Sequence, residues 1–456
     1  MSHMLIIGGS DAGISAALRI RELDIQTEVT VIVADAYPGF SICGLPFLLS
    51  GEVSDWHTLA HHEVADLEKM GIRLPLNQRA QTIFPKTKSV QVVSGEGHAQ
   101  KTTYDRLLIA TGAESARPPI TGLDQTGVFL LRWMADGFAM QQFIEQKNPR
   151  RSVIIGGGYI GLEMADALSR RGLEVTVLEF APEILTTMDA ALGRLIRAEL
   201  ESKGVRVITG RAVQSIERKD NSLIVHTADD QTSNTDMVLV ATGVKPSTQL
   251  AQTAGCAPGV AGALQVDRNM NTSVADILAA GDCAETWHHL LKDKVYMPLG
   301  TTAHKQGRIA GENMLGHHSE FQGSLGTQVV KVFDKVAAGT GLRDIQANKA
   351  GFDSFTAVST TADRNPYYPG ARDMTICITG DRRTGRLLGA QIVGHRDSSV
   401  AKRIDIIAAA LYSGMPVENL CDLDLAYTPP LSSPWDPVQK AAMLWNKQAK
   451  QGISAN

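Results

Sequence analysis

The sequence predicts an α/β protein of three domains, the first two built on parallel sheets and the last an α+β unit. Three observations lead to this prediction. The chain has 456 residues, which at roughly 150 residues per domain suggests about three domains. One pattern, a β-branched strand followed by a glycine-rich turn and an amphipathic helix, occurs twice. From about Leu325 the pattern changes to strand-like runs with one helix near residues 401–413.

The composition is that of an ordinary globular protein, and it argues against several classes of function. Hydrophobic residues make up 43% of the chain and charged residues 20%, with a formal net charge of −4. No basic run is present, so we expect no nucleic-acid partner. The longest apolar stretches have strand length, so we expect no membrane span. The five cysteines are widely spaced and include no Cys-x-x-Cys pair, which predicts no metal site and favours a reducing cytoplasm.

Each of the two repeated segments is predicted to begin a nucleotide-binding domain. They are residues 4–23, MLIIGGSDAGISAALRIREL, and residues 152–171, SVIIGGGYIGLEMADALSRR. A second apolar strand follows each of them, at residues 29–35 and at residues 175–180. Two parallel strands joined by a crossover helix form the unit that binds dinucleotides in Rossmann-like folds.

The second segment carries the regular fingerprint Gly156-x-Gly158-x-x-Gly161. The first glycine makes a tight turn, the second lets the backbone approach a pyrophosphate, and the third packs the helix on the strand. Glu179 ends the next strand, where a carboxylate can accept a hydrogen bond from the adenosine ribose. Because a carboxylate repels a 2′-phosphate, we expect NADH to be preferred to NADPH.

The first segment departs from this rule at two places. It reads Gly8-x-Ser10-x-x-Gly13, with a serine whose hydroxyl can donate to a phosphate. Val33 stands about where a ribose-binding carboxylate is expected, and Asp35 follows two residues later. Asp35 is therefore the candidate ribose ligand, and its alternative role is that of a turn residue.

Two Ala-Thr-Gly segments indicate where the chain crosses between the nucleotide domains. They are YDRLLIATGA at residues 104–113 and TDMVLVATGV at residues 235–244, and the strand DILAAGDCAE follows at residues 276–285. We therefore predict a discontinuous first domain of residues 1–112 and 243–324. The second domain would then span residues 113–242, and the third residues 325–456.

Cys43 lies in the segment FSICGLPFLLSGE, just after the second strand of the first domain. Gly44 and Pro46 suit a turn into a helix start, and the positive end of a helix favours the thiolate that attacks disulfides. The alternative for a free cysteine is a small buried hydrophobic residue. We expect that alternative for the other four cysteines.

Together these motifs resemble the flavin-dependent pyridine nucleotide–disulfide oxidoreductases over essentially the whole chain. The resemblance implies a glutathione reductase-like fold with an FAD domain, an NAD(P)H domain and a C-terminal dimerisation domain. It assigns to FAD the following residues, the last four of them more loosely: Gly8, Ser10, Gly13, Asp282, Thr111, Arg132, Thr302 and Ala303. Gly243 is a further candidate cofactor-binding residue. It assigns Gly156, Gly158, Gly161 and Glu179 to NADH. Tyr159 resembles the residue whose ring, in this family, covers the flavin until nicotinamide displaces it. Glu163 resembles the family's buried acid near the isoalloxazine.

A single cysteine before Gly-Leu-Pro is similar to one branch of this family: coenzyme A disulfide reductases, NADH peroxidases and NADH oxidases. The peroxidases and oxidases have a histidine in the first glycine-rich loop, where this chain has Asp11. The segment NPYYPG at residues 365–370 and Tyr427 resemble tyrosines that reach the thiol site across the dimer interface of coenzyme A disulfide reductases. Tyr367 and Tyr368 are both open as the match, and a β-turn with half-buried rings is the alternative.

One feature of the first helix departs from the coenzyme A disulfide reductases. Those enzymes often show paired arginines near the phosphates of the coenzyme, whereas this helix has Glu22 in the second place and keeps Arg19 and Arg21. The disulfide acceptor is therefore open at this point.

The resemblance implies a homodimeric enzyme that passes electrons from NAD(P)H through FAD to Cys43. The acceptor would be a low-molecular-weight disulfide such as coenzyme A disulfide, or a related persulfide or metalloid–thiol compound, with Tyr427 or its neighbour protonating the departing thiolate. Two alternatives stay open. One is an NADH oxidase or peroxidase in which Cys43 cycles through sulfenic acid, and the other is a flavin-bound redox sensor without useful turnover.

Overall fold

The computed structural model describes residues 2–453. Within that range the helices are α1 (Asp11–Leu23), α2 (Leu45–Ser50), α3 (Val64–Lys69), α4 (Met134–Lys147), α5 (Tyr159–Arg170), α6 (Ala190–Ser202), α7 (Gln249–Thr253), α8 (Gly300–Met314), α9 (Asp344–Lys349), α10 (Val400–Tyr412), α11 (Val417–Leu420) and α12 (Pro437–Ile453).

The strands of the described residues follow the same chain order. They are β1 (His3–Ile7), β2 (Glu28–Ile32), β3 (Ile72–Arg73), β4 (Gln78–Phe84), β5 (Ser89–Ser94), β6 (Ala99–Thr103), β7 (Arg106–Ile109), β8 (Ala113–Ser115), β9 (Val128–Leu130), β10 (Arg151–Ile155), β11 (Glu174–Leu178), β12 (Arg206–Ile208), β13 (Val213–Lys219), β14 (Ser222–Thr227), β15 (Thr232–Thr235), β16 (Met237–Val240), β17 (Val244–Pro246), β18 (Ile277–Ala279), β19 (Thr286–His288), β20 (Asp293–Val295), β21 (Gln328–Val332), β22 (Lys335–Gly341), β23 (Ser354–Ala362), β24 (Asp373–Asp381) and β25 (Leu387–His395).

The chain forms two compact units. The first runs to Ala116 and adds Arg132–Ala139 and Gly243–Ser324. The second consists of Arg117–Leu131, Met140–Thr242 and the described residues from Leu325 onward. The division into three domains drawn from the sequence stays a prediction.

The first unit is built on a parallel sheet of strand order β18-β7-β1-β2-β3. Its strands are almost wholly buried, and α1 packs against α8. Two glycines of α8 allow this packing: a Cβ on Gly307 would lie 2.2 Å from the Ala12 carbonyl oxygen, and one on Gly311 would lie 2.6 Å from that of Ala16. The backbones of the two helices therefore approach closely, and side chains at their N-terminal ends can meet.

The second unit contains a parallel sheet of order β12-β11-β10-β16-β9 and a five-stranded antiparallel sheet of order β21-β22-β25-β24-β23. Helix α10 packs on β25 and β22, and α12 packs on β23 and β24. The indole of Trp445 on α12 donates to the Phe355 carbonyl at 2.8 Å, which fixes the helix on the strand.

These sheets confirm the predicted α/β class with its α+β C-terminal part. The strand predicted at residues 29–35 ends earlier, at Ile32. The Val33 amide donates instead to the Pro75 carbonyl, and the Val33 carbonyl accepts from the Gln78 amide, so the chain leaves the parallel sheet there. Among residues 2–453, no helix has the length and apolar character that crossing a membrane requires.

Candidate active site: two glycine-rich cradles and an exposed cysteine

The segment Gly8–Gly13, which runs from β1 into the first turn of α1, is called the first cradle here. Two of its positions can be occupied only by glycine. Gly8 has a φ of +119°, and a Cβ there would lie 2.0 Å from the Ala110 carbonyl oxygen. A Cβ on Gly13 would lie 1.9 Å from the Gly8 carbonyl oxygen. Ser10 precedes α1 as its N-cap residue, and its hydroxyl makes no capping hydrogen bond. The loop therefore presents bare backbone at a helix N-terminus, where phosphates bind.

Polar side chains from distant parts of the first unit lie near this loop. Arg132 Nη2 donates to Asp282 Oδ2 at 2.6 Å, and its Nε donates to the Ala113 carbonyl at 3.1 Å. The Thr111 hydroxyl donates to the Ser247 carbonyl at 2.6 Å. The positions assigned to FAD by resemblance thus include an ion pair whose members are 150 residues apart in sequence.

The remaining candidate cofactor-binding positions of the first unit lie on α8 and after β16. Thr302 and Ala303 are both buried on the first turn of α8, and the Thr302 hydroxyl donates to Ser324 Oγ at 3.2 Å. Gly243 has a φ of +105°, and a Cβ there would meet nothing within 4 Å.

A buried phenol supports the fit of a dinucleotide in the first cradle. The hydroxyl of Tyr296 is buried and has no hydrogen-bond partner among the described residues. Burial raises the pKa of this phenol, and the nearby Asp282 carboxylate raises it further. Buried polar atoms normally have partners, so an unpartnered hydroxyl beside Asp282 fits a ligand that supplies one. The residues present fit FAD.

The two candidates for a ribose carboxylate in the first cradle differ in position. Val33 directly follows Ile32, whose carbonyl accepts from the Gly8 amide, and the Val33 side chain lies against the backbone of Gly9. Asp35 lies in the turn that follows, where its Oδ1 accepts from the Tyr37 amide at 2.9 Å. Asp35 therefore makes the turn contact that was its alternative role, and a ribose contact stays a prediction.

The second cradle repeats the first and keeps the carboxylate. Gly156 has a φ of +112°, and a Cβ on Gly161 would lie 2.0 Å from the Gly156 carbonyl oxygen. A Cβ on Gly158 would meet nothing within 4 Å, so this residue faces open space. Glu179 accepts from the Gly157 amide at 2.6 Å through Oε2 and from the Ala181 amide at 2.7 Å through Oε1. Both carboxylate oxygens are thereby fixed, and the residues present fit a pyridine nucleotide.

Two titratable residues of α5 are partly buried. Burial raises the pKa of Tyr159 to about 12, and its hydroxyl accepts a hydrogen bond from Thr187 Oγ1 at 2.8 Å. Burial raises the pKa of Glu163 to about 7, although the Lys331 ammonium opposes the shift. Tyr159 is therefore protonated at neutral pH, and Glu163 keeps its proton to a higher pH than an exposed glutamate.

Cys43 is the one exposed cysteine of the chain. It lies in the 3-10 turn Ile42–Gly44, which leads directly into α2. None of the five cysteines, all within the described residues, forms a disulfide. Burial raises the pKa of each of the other four thiols, that of Cys377 to about 12. Cys43 is thus the most accessible of the five thiols.

A cluster of aromatic rings supports the Cys43 segment. The rings of Tyr37 and Phe40 contact Trp56 with centroids 5.8 and 5.6 Å away, and Phe138 lies 5.1 Å from Trp56. The sequence does not indicate this cluster, because its members come from three separate segments and no regular spacing connects them.

The candidate tyrosines of the second unit separate into two environments. Asn365 Nδ2 donates to the Tyr427 hydroxyl at 2.9 Å and lies 3.4 Å from the Tyr367 hydroxyl. Tyr427 and Tyr367 are exposed, by 46% and 73% respectively. Tyr368 is partly buried, and its amide donates to the Asn365 carbonyl in a turn. The structure therefore brings Tyr367 and Tyr427, rather than Tyr368, to one amide group.

A buried ion pair holds the two tyrosine segments in place. The guanidinium of Arg403 is 2.9 Å from the Asp436 carboxylate, and both side chains are less than a tenth exposed. Arg403 also donates to the carbonyls of Asp363 and Ser398. The segments before Tyr367 and after Tyr427 are thereby joined to α10.

Sequence reasoning missed one group of the first unit, at the start of α1. Asp11 Oδ1 lies 3.5 Å from Nε2 of His304 on α8, and the His304 Nδ1 lies 2.7 Å from the Ser15 hydroxyl. The histidine is 293 residues from Asp11, and a lone histidine on an amphipathic helix carries no sequence signal of such a pairing.

Comparison with known proteins identifies the family to which the chain belongs. Residues 2–307 match the family described as pyridine nucleotide-disulphide oxidoreductase, and residues 327–437 match its dimerisation domain. The chain is 35% identical over 436 residues to the NAD(P)H coenzyme A polysulfide/persulfide reductase of Pyrococcus horikoshii, covering 95% of this chain and 96% of that protein. It is 33% identical over 440 residues to an NADH oxidase of Methanocaldococcus jannaschii, covering 96% and 97%.

A solved structure gives the same result for the fold. The NAD-dependent persulfide reductase from A. fulgidus is similar with a TM-score of 0.94 and 36% identity, over 98% of this chain and 84% of that one. The fold class and the family predicted from the motifs are therefore confirmed. The chain belongs to the pyridine nucleotide-disulphide oxidoreductases, a family of enzymes that use FAD and NAD(P)H.

Proposed function

We propose that this protein is a homodimeric flavoenzyme that uses NADH to reduce a low-molecular-weight disulfide, polysulfide or persulfide at Cys43. The observation that carries the proposal is the exposure of Cys43, alone among the five cysteines, in the unit that also holds the first cradle. The relatives from Pyrococcus horikoshii and A. fulgidus are both named persulfide reductases, which supports a sulfur acceptor.

FAD, when bound, supplies a two-electron carrier between nicotinamide and sulfur. The residues of the chain bind, orient and exchange protons. The Cys43 thiolate attacks one sulfur of the acceptor, so a Cys43–acceptor disulfide forms and a thiolate leaves with a proton. Two electrons then cleave this mixed disulfide, which releases a second thiol and restores the Cys43 thiolate. One NADH and one proton are consumed for each disulfide that becomes two thiols.

The preference for NADH rests on Glu179. Its two oxygens are held by backbone amides at 2.6 and 2.7 Å, so the carboxylate has one fixed position beside the glycine-rich loop. That position suits a ribose hydroxyl that donates a hydrogen bond, and it disfavours a 2′-phosphate by like-charge repulsion.

Tyr367 and Tyr427 are the proposed phenols of the thiol site, reached across the dimer interface that the matched dimerisation domain suggests. Their hydroxyls lie within 3.4 Å of one amide nitrogen, that of Asn365. An amide that donates to both oxygens orients the phenolic protons away from itself, which suits donation to a departing thiolate.

The charges of α1 favour a small acceptor over one held by its phosphates. The Arg19 guanidinium is paired at 2.8 Å with Glu22 and at 2.8 Å with Glu312. The Glu22 side chain is 63% exposed, so an acceptor phosphate near this face would meet a carboxylate. Inorganic polysulfide and short persulfides carry no such phosphate.

The test is anaerobic NADH oxidation by the purified yellow protein, with coenzyme A disulfide and inorganic polysulfide as separate acceptors. Cys43→Ser should keep FAD and still allow NADH to bleach the flavin, yet lose turnover with the acceptor. Cys421→Ser, at a half-buried cysteine, is the matched control and should keep turnover. Turnover retained in Cys43→Ser contradicts the proposal.

An NADH oxidase is the second candidate, because the Methanocaldococcus jannaschii relative carries that name. The same preparation distinguishes the two functions when oxygen replaces the sulfur acceptor. Oxygen consumption that exceeds disulfide or polysulfide reduction would favour the oxidase. Bleaching by NADH with no recovery on any acceptor would favour the redox sensor.

A further inference from the structure

We propose that Asp11, His304 and Ser15 form a proton relay that supplies the proton consumed when the acceptor is reduced. The inference rests on the function proposed above, in which each disulfide consumes one proton. That proton must reach a sulfur inside the site after NADH has given up its electrons. A chain of exchangeable groups from solvent to the site would deliver it without opening the site to water.

The contacts form such a chain. Asp11 Oδ1 lies 3.5 Å from His304 Nε2, and His304 Nδ1 lies 2.7 Å from Ser15 Oγ. The side chains of Asp11 and His304 are 23% and 49% exposed, so access to water increases from the carboxylate to the imidazole. An imidazole with a partner on each nitrogen passes a proton by accepting at one and releasing at the other.

Asp11, the inner end of the relay, lies within the first cradle. Asp11 is the first residue of α1, and its Oδ2 would lie 3.1 Å from a Cβ on Gly300, the first residue of α8. Burial raises the pKa of Asp11, and the Asp282 carboxylate adds to the shift, while His304, His61 and Arg132 oppose it. A carboxyl group in this environment holds its proton more readily than an exposed one, as a proton donor must.

The relay also lies beside the segment that leads to Cys43. The Gly39 amide donates to the Gly9 carbonyl at 2.7 Å, and the Gly39 carbonyl accepts from the His61 amide at 2.9 Å. The ring of His61 is 6.3 Å from that of His304. The turn with Cys43 begins three residues after Gly39, so the segment before the cysteine is hydrogen-bonded both to the loop before Asp11 and to His61.

Asp11 and His304 are brought together by the close packing of α1 on α8. Gly307 and Gly311 allow the backbones of the two helices to approach closely, so the first turns of both helices lie side by side. Lys305 and Arg308 are the other charged residues of this part of α8; both are exposed, and Arg308 pairs with Glu312 at 3.0 Å.

The experiment separates the two half-reactions by anaerobic stopped flow on the holoenzyme. In His304→Asn, flavin bleaching by NADH should stay within twofold of wild type. Reoxidation by the acceptor should slow by about 100-fold, the lower end of what general acid–base groups contribute, and the loss should grow as pH rises. Imidazole in the buffer should restore part of the rate. Lys305→Gln removes a charge from the same helix and should leave both half-reactions unchanged.

Asp11→Asn tests the inner end of the relay. Its effect on reoxidation should match that of His304→Asn, and the double variant should be no slower than the slower single one, because the two residues act in series.

Two results would overturn the relay. One is reoxidation within threefold of wild type in His304→Asn, and the other is an equal slowing of both half-reactions. If the wild-type enzyme reduces no sulfur acceptor, the proposed function fails and the relay fails with it. If wild type turns over and the variants do too, only the relay fails.

Discussion

Glu163 gives a prediction whose size follows from its surroundings. Burial raises its pKa from 4.5 to about 7, with Asp166 adding to the shift and Lys331 opposing it. The folded state therefore keeps a proton that the unfolded state releases between these two values. Stability conferred by the neutral form is complete below the unfolded pKa and is lost as pH rises toward the folded pKa.

The magnitude is about 3 kcal/mol, since each pKa unit corresponds to about 1.4 kcal/mol of free energy. Glu163→Gln keeps the shape of the side chain and cannot ionise. The free energy of unfolding of the variant should therefore rise relative to wild type by about 3 kcal/mol between pH 4.5 and pH 8. This corresponds to about 6–12 °C in Tm for a unit of about 150–250 residues.

Thermal unfolding of both proteins at a series of pH values measures this difference. Glu201→Gln, at an exposed glutamate of α6, is the matched control and should show a constant offset. A difference between Glu163→Gln and wild type that does not change from pH 5 to pH 8 would refute the reasoning, because it would mean that Glu163 titrates alike in both states.

Three further predictions concern the nucleotide, the thiol site and the fold. Glu179→Gln should reduce the preference for NADH over NADPH at least tenfold in kcat/KM, since a hydrogen bond to a charged group contributes about 1.5–3 kcal/mol; an unchanged ratio would contradict the role of the carboxylate. Tyr367→Phe should slow disulfide turnover at least tenfold, while Tyr368→Phe should not, and steady-state rates with the same acceptor distinguish the two. Arg403→Met leaves the buried Asp436 carboxylate without its partner and should cost about 3–5 kcal/mol; a Tm within 2 °C of wild type would show that the ion pair is dispensable.

Much of the fold and of the two cradles was predictable from the sequence. Gly8, Gly13, Gly156 and Gly161 each have a backbone conformation or a close approach that a Cβ would obstruct, so the residue type itself reports the local geometry. Cys43 was predictable for a similar reason, because a turn that runs into a helix is encoded within a few residues.

The strand after the first cradle was predicted less well. Its apolar run continues to Val33, but the sheet ends at Ile32, because the Val33 amide and carbonyl bond to Pro75 and Gln78 instead. Which partner a backbone group takes depends on segments more than 40 residues away, and the hydrophobic pattern of the strand itself contains no information about them.

By itself the sequence determined the fold class, the family, the two cradles and the identity of the candidate thiol, because these follow from patterns of a few adjacent residues. The tertiary structure alone decided which side chains meet across the chain. It placed His304 beside Asp11 and Arg132 beside Asp282, and it turned Tyr367 rather than Tyr368 toward the amide that binds Tyr427. The physical reason is that such pairs form where helices and strands distant in sequence pack together, and the packing depends on the whole chain.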